Sequence, residues 1–208
     1  QNLQVKVHVP PFFPKFRIVH ILKEKQEWIE KKLREFRSSK VSNYNPTFDH
    51  GDYLYYMGTK HRLVHFPRYS GLEIEADDTS ISIKFPEDSR KPELIKKDLE
   101  QWFRKDAEDI LLNRIELYSA QLNLFPKKVR IRSAKGRWGS CSSKKTINLN
   151  WKLIFVPIEI LDYVVIHELA HLLHQNHSPR FWKFVESHCS DLGDKKKWLR
   201  EHGFLLDW

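Results

Sequence analysis

Cysteine is scarce in this chain: there are two in 208 residues, Cys141 and Cys189. Two are too few for a disulfide-stapled scaffold and allow one bridge at most, so a reduced, cytoplasmic setting is the simpler expectation. Long apolar runs are missing too. No charged-then-apolar leader opens the chain, so neither a membrane span nor secretion is expected. Methionine occurs once, at Met57, and a trimmed or processed N-terminus is therefore expected. No internal repeat or low-complexity segment is evident, which excludes solenoids and linker-like proteins.

What is present fits a globular protein. Hydrophobic residues make up 40% and aromatics 13% of the chain, enough for one sizeable domain or two small ones. The net charge is +9. Lys and Arg read as spread along the whole sequence, so a generally basic, solvated surface is expected. Such a balance favours nucleic acid, anionic surfaces or acidic protein substrates as partners. Nothing in the sequence sets the oligomeric state.

The pattern predicts an α+β protein. Leu3, Val5, Val7 and Val9 alternate as a strand would, closed by Pro10 and Pro11. Helical spacing follows over about 20–38. From 47 to 86, turn signals at Gly51, Gly58, Gly71 and Asp77 separate four short runs, which predicts a small antiparallel sheet or partial barrel. A long helix is expected from Ser89 as cap to Leu122, with Pro92 in its first turn and a bend along its length. Strands are expected at 128–133 and 146–155, and an apolar helix over 160–173. The chain thus divides into a β-rich N-terminal part, 1–88, and a second domain, 89–208.

That apolar helix carries His167-Glu168-Leu169-Ala170-His171. Histidines four apart lie about 40° apart around a helix, so both can reach one ion. Glu168 lies about 100° from His167 and points beside that ion. Two neutral imidazoles with a neighbouring carboxylate base is the arrangement of a zinc hydrolase. A third ligand must come from elsewhere. His174, His177, Glu186, His188 and the two thiols are candidates, with His177 ranked first and Glu186 second. His177 stands past the expected helix end, where a turn at Asn176 would bring it back. Its spacing equals that of the metzincin pattern, although His174 occupies that pattern's glycine.

Several segments together resemble the YgjP-like metallopeptidase family, which is related to SprT-like and WLM zinc proteases. They are Arg137-Trp138-Gly139-Ser140-Cys141-Ser142, Ile147 to Ile154, Leu161 to Leu172, Asn176-His177-Ser178 and Phe181-Trp182. A weaker likeness reaches Phe48, Gly51-Asp52, Tyr56-Met57-Gly58 and Leu63. The resemblance implies a zincin-type domain with His167, His171 and His177 as ligands, Glu168 as general base, and one zinc per chain.

The expected reaction is therefore peptide-bond hydrolysis. Arg137, Ser140, Asn148 and Asn150 are candidate substrate contacts. Residues 144–150 are the candidate strand edge for binding an extended peptide. Tyr163, His174, His188 or an Arg are candidates for steadying the transition state. Two other readings stay open: a protease or basic protein acting at DNA, and a zinc-binding domain without catalysis.

Overall fold

The structure, a computed structural model, describes residues 7, 9, 13–30 and 44–208. These fall into two compact units, 1–43 and 44–208. The first contains α1 (Lys15–Glu24), which begins where Pro14, in an extended conformation, releases the chain into a helix. The single helix expected at about 20–38 is interrupted. Lys25 leaves the helix at φ −96, ψ 4, and residues 26–30 are helical again. The rest of that helix, and most of the N-terminal strand expected at Leu3 to Val9, lie outside the described residues.

The second unit opens with β1 (Tyr53–Tyr56), β2 (Thr59–Phe66), β3 (Glu73–Ala76) and β4 (Ser80–Lys84). All four begin and end within a residue of the runs that the turn signals delimit. The sheet is mixed, not antiparallel as expected. Its order is β1-β2-β4-β3, with β2 and β4 parallel. The reason is burial. Leu63 of β2 and Ile81 and Ile83 of β4 are fully buried, whereas β3 buries no residue completely. Leu54 of β1 is fully buried as well, so the three core-bearing strands sit together and β3 is left at the edge. The turn between β1 and β2 uses Met57 and Gly58, both with positive φ, as two-residue hairpins require. It docks on the rest of the unit. Met57 N–H donates to the Ile154 carbonyl at 2.8 Å, and a Cβ on Gly58 would lie 2.5 Å from Pro157. The division expected at 88/89 falls inside this unit, between the first sheet and the long helix, and one hydrophobic core runs through both sides.

α2 (Pro92–Leu122) is one continuous helix of 31 residues. It starts three residues after the expected cap at Ser89, with Lys91 extended and Pro92 in the first turn, and ends at Asn123 in the left-handed region. Ile95, Leu99, Phe103, Ala107, Leu111 and Ile115 recur every fourth residue and are buried. This stripe is the floor of the unit. Arg114 makes a two-pronged ion pair with Asp162, the Nε arm at 2.6 Å, and fixes the helix that carries the histidines.

The second sheet contains β5 (Lys128–Arg132), β6 (Gly139–Cys141) and β7 (Thr146–Asn150), in the order β5-β7-β6. β7 is central and paired on both sides. Residues 144–150 therefore offer no edge to a peptide, and among the described residues the free edge near the histidines is β6. The strand expected to continue to Phe155 stops at Asn150. The Asn150 carboxamide oxygen accepts the Lys152 N–H at 3.2 Å and starts a buried 3-10 helix, Trp151–Phe155. Then come α3 (Ile158–Ala170), α4 (Pro179–His188), α5 (Leu192–Glu201) and a last 3-10 turn, Gly203–Asp207. Trp208 stacks on Phe155 at 4.9 Å, and Lys152 Nζ donates to the Trp208 carbonyl at 3.0 Å, tying down the tail. Among the described residues no helix is long and apolar enough to cross a membrane.

Candidate metal centre

The site forms where α3 stops. Ala170 is the last residue of α3, and His171 takes the capping position, still right-handed. Leu172 and Leu173 then close with tight bonds to the carbonyls of Leu169 and Ala170, at 2.9 and 3.1 Å. The helix thus ends earlier than the turn expected at Asn176, which has no positive φ. Early termination has a consequence for geometry: His177 is on a loop that doubles back rather than on a continuing helix. Ser178 caps α4, its side chain accepting the Phe181 N–H at 3.4 Å, and Pro179 follows as the first helical residue.

His167, His171 and His177 come together. One ring nitrogen from each lies within 4.8 Å of the others. The Nε2 atoms of His167 and His177 are 3.1 Å apart. Two nitrogens bound to one tetrahedral ion at about 2.0–2.1 Å would stand roughly 3.3 Å apart, so this set fits a small divalent ion. His171 Nδ1 lies 2.9 Å from the His174 carbonyl oxygen. That contact holds the proton on Nδ1 and turns the Nε2 lone pair inward. Burial, and then the neighbouring His171 and His177, push His167 down to about 3. His177 is lowered in the same direction, first by burial. Both imidazoles are therefore neutral at pH 7, the form that binds a metal. Among the described residues His167 Nδ1 is buried without a partner.

Aromatic rings hold the imidazoles. Phe181 stacks on His171 with centroids 4.6 Å apart, and Trp182 stacks on His177 at 5.4 Å. The Lys196 ammonium of α5 lies 3.3 Å over the centre of the Trp182 ring. Sequence reasoning used Phe181 and Trp182 only as part of the family resemblance and did not single out Lys196. Two aromatics immediately after a helix cap, beside three histidines, were the available signal.

Glu168 points the other way, under β6. It is 5% exposed, and burial pushes its carboxyl up to about 8. Among the described residues its Oε2 has no hydrogen-bond partner. A Cβ on Gly139 would lie 2.6 Å from Glu168 Oε1 and 2.7 Å from its Cγ. Gly139 is therefore a glycine because the carboxylate needs that space. A cavity of about 170 Å³ opens here, lined by Trp138, Gly139, Tyr163, His167, Glu168 and Leu199.

The remaining candidates divide. Tyr163 stands edge-on to His167 at 5.9 Å, and burial raises its phenol to about 12. Glu186 and His188 lie on α4 and are not among the converging ligand atoms. His174 contributes its backbone carbonyl. Burial, and then Glu168, push the Cys141 thiol up to about 11, and its Sγ is not among the converging ligand atoms. Arg137, Ser140, Asn148 and Asn150 all line a second cavity. Asn148 Nδ2 donates to Ser140 Oγ at 3.2 Å. Asn150 is 1% exposed, and its amide is spent on the carbonyls of Ala134 and Arg137 and on capping the 3-10 helix. It shapes that cavity and has no free group to offer.

Comparison with known proteins places these residues in context. The model of the YgjP-like metallopeptidase domain matches residues 1–202. Among solved structures, the metallopeptidase zymogen of Pyrococcus abyssi abylysin is similar at 28% identity and a TM-score of 0.38, over 45% of this chain and 91% of that one. The zymogen of Methanocaldococcus jannaschii jannalysin is similar at 24% identity and a TM-score of 0.40, over 46% of this chain and 96% of that one. No curated protein matches.

Proposed function

Because this chain belongs to the YgjP-like metallopeptidase family, we propose that it hydrolyses peptide bonds with one zinc ion held by His167, His171 and His177 and with Glu168 as general base. The observation that carries this reading is the convergence of three imidazole nitrogens within 4.8 Å beside a buried, unpartnered carboxylate. Three imidazole nitrogens leave one position of a tetrahedral ion open, as catalytic sites require. Bound there, zinc supplies a Lewis acid that polarises a carbonyl and acidifies water.

The chain's own residues do the rest. Glu168, walled by Gly139 and Tyr163, is positioned to take a proton from water and return it to the leaving amine. The peptide binds along β6. Asn150 N–H donates to the Trp138 carbonyl at 2.8 Å and Ser142 N–H to the Thr146 carbonyl at 2.9 Å. By the alternation of antiparallel bonding, Gly139 and Cys141 then turn their own N–H and C=O groups away from β7, toward the free edge. Those groups accept an extended peptide beside the carboxylate.

The test is reconstitution. Chelator-treated protein should be inactive on a casein or peptide substrate and regain activity with about one equivalent of zinc per chain. Activity indifferent to chelation would overturn the proposal. The third ligand is tested by metal retention: His177→Ala should release zinc far more readily than His174→Ala or Glu186→Ala. Trp182→Ala, which removes the ring behind His177, should weaken zinc by about tenfold, the usual size of such supporting contacts. Zinc binding unchanged in Trp182→Ala would show that the stack is ordinary packing.

A further inference from the structure

The chain's net charge of +9 is not spread along it, as the composition suggested. Residues 117–158 hold nine Lys and Arg and no Asp or Glu, so the remainder of the chain is neutral overall. Lys152 is buried, and the other eight are exposed. Among the described residues none of the eight is in an ion pair. Arg68, Lys84, Arg90, Arg104 and Arg114, elsewhere in the same unit, all are.

The second sheet turns this charge outward. Val129 and Ile131 pack on the core, so Lys128, Arg130 and Arg132 project from the opposite face. Asn148 pairs with Arg130 and with Ser140, which puts both polar residues on that outer face. A cavity of about 300 Å³ opens there, lined by Arg132, Lys135, Arg137, Ser140 and Asn148, with no acidic residue in its wall among the described residues. Among the described residues Asn148 Oδ1 is buried without a partner, an acceptor that a peptide N–H would satisfy. Trp138 and Gly139 line both this cavity and the one over Glu168, so the two meet at β6.

A peptide paired with the β6 edge alternates its side chains between the two faces of the sheet. One set turns toward α3 and Glu168. The other passes over the basic cavity. We propose that this cavity is a specificity subsite that takes an Asp or Glu side chain of the peptide, held by Arg132 and Arg137. This rests on the peptidase reading above, and names its substrate class. The junction with the cavity over Glu168 favours a peptide over nucleic acid, since it places the cations beside the bond to be cut.

The test uses binding and cleavage on the full chain. Zinc-loaded Glu168→Gln protein is titrated, by fluorescence anisotropy, with two labelled heptapeptides differing only in Glu against Gln at the central positions. The acidic peptide should bind roughly five- to tenfold tighter, with the advantage shrinking as salt rises. Arg132→Ala/Arg137→Ala should bring that ratio close to one, while Lys127→Ala, outside the cavity wall, should keep it. Wild-type enzyme on a mixed peptide library should show acidic residues enriched at one position flanking the cut. Equal binding of the two peptides, or a preference that survives the double substitution, overturns the subsite. So does a labelled oligonucleotide that binds through Arg132 and Arg137 when neither peptide does. Cleavage without an acidic preference would sink the subsite alone, whereas acidic-peptide binding without any cleavage would sink the peptidase reading alone.

Discussion

Glu168→Gln is expected to keep its zinc and its fold and to lose about a thousandfold in kcat/KM on any peptide the wild type cuts. Glutamine has the carboxylate's shape but cannot accept the proton. The side chain is 5% exposed, its Oε2 has no partner among the described residues, and burial pushes its carboxyl up to about 8, so ionising it in the metal-free protein carries an uncompensated desolvation cost. Glutamine does not ionise and avoids that cost at any pH where the wild-type carboxyl is charged. The thermal midpoint of the metal-free variant should therefore be equal to the wild type's or higher, the pattern of a residue kept for chemistry at the expense of stability. Zinc content, melting temperature and initial rates on one preparation decide the matter. A variant that retains a tenth or more of wild-type activity would remove Glu168 from the role of base. A variant that loses zinc would mean that the carboxylate holds the centre together instead.

Much of this candidate site is legible in the sequence. The pair His167 and His171 follows from helix periodicity alone, and the cap Ser178-Pro179 marks where the returning chain begins its next helix. The position of His177 depended on a turn that the sequence signals only through Asn176. The real turn comes earlier, because the helix closes tightly at Leu172 and Leu173. Non-local choices were harder to read. Which of β2, β3 and β4 lie side by side depends on which strands carry fully buried residues, and each strand alternates convincingly by itself. The same limit hid the free edge. Thr146–Asn150 reads as the better strand and for that reason takes the centre of its sheet, leaving the three-residue β6 outside. The concentration of charge was in the sequence from the start, but its meaning depends on the pleat that sends Lys128, Arg130 and Arg132 to one face.

Outside the three histidines and Glu168, Gly139→Ala should be the most damaging single change, through a methyl group that touches no proposed ligand. The added Cβ would lie 2.6 to 2.9 Å from Oε1, Cγ and Cδ of Glu168. The φ of Gly139 is not positive, so alanine fits the backbone and the strand survives. The flexible partner gives way, and Glu168 swings from its place. Activity should fall by about a hundredfold, within the range that a positioned base contributes, while zinc binding stays near the wild-type value. The same methyl group also sits on the β6 edge, where it could obstruct the peptide. A double substitution separates the two causes. If Gly139 acts by making room for Glu168, then Gly139→Ala added to Glu168→Gln should cost almost nothing further, because residues acting as one unit are strongly non-additive. If the losses multiply, the glycine serves the docking of substrate instead. Peptide affinity measured in the inactive Glu168→Gln background, with and without the methyl group, reads that alternative directly.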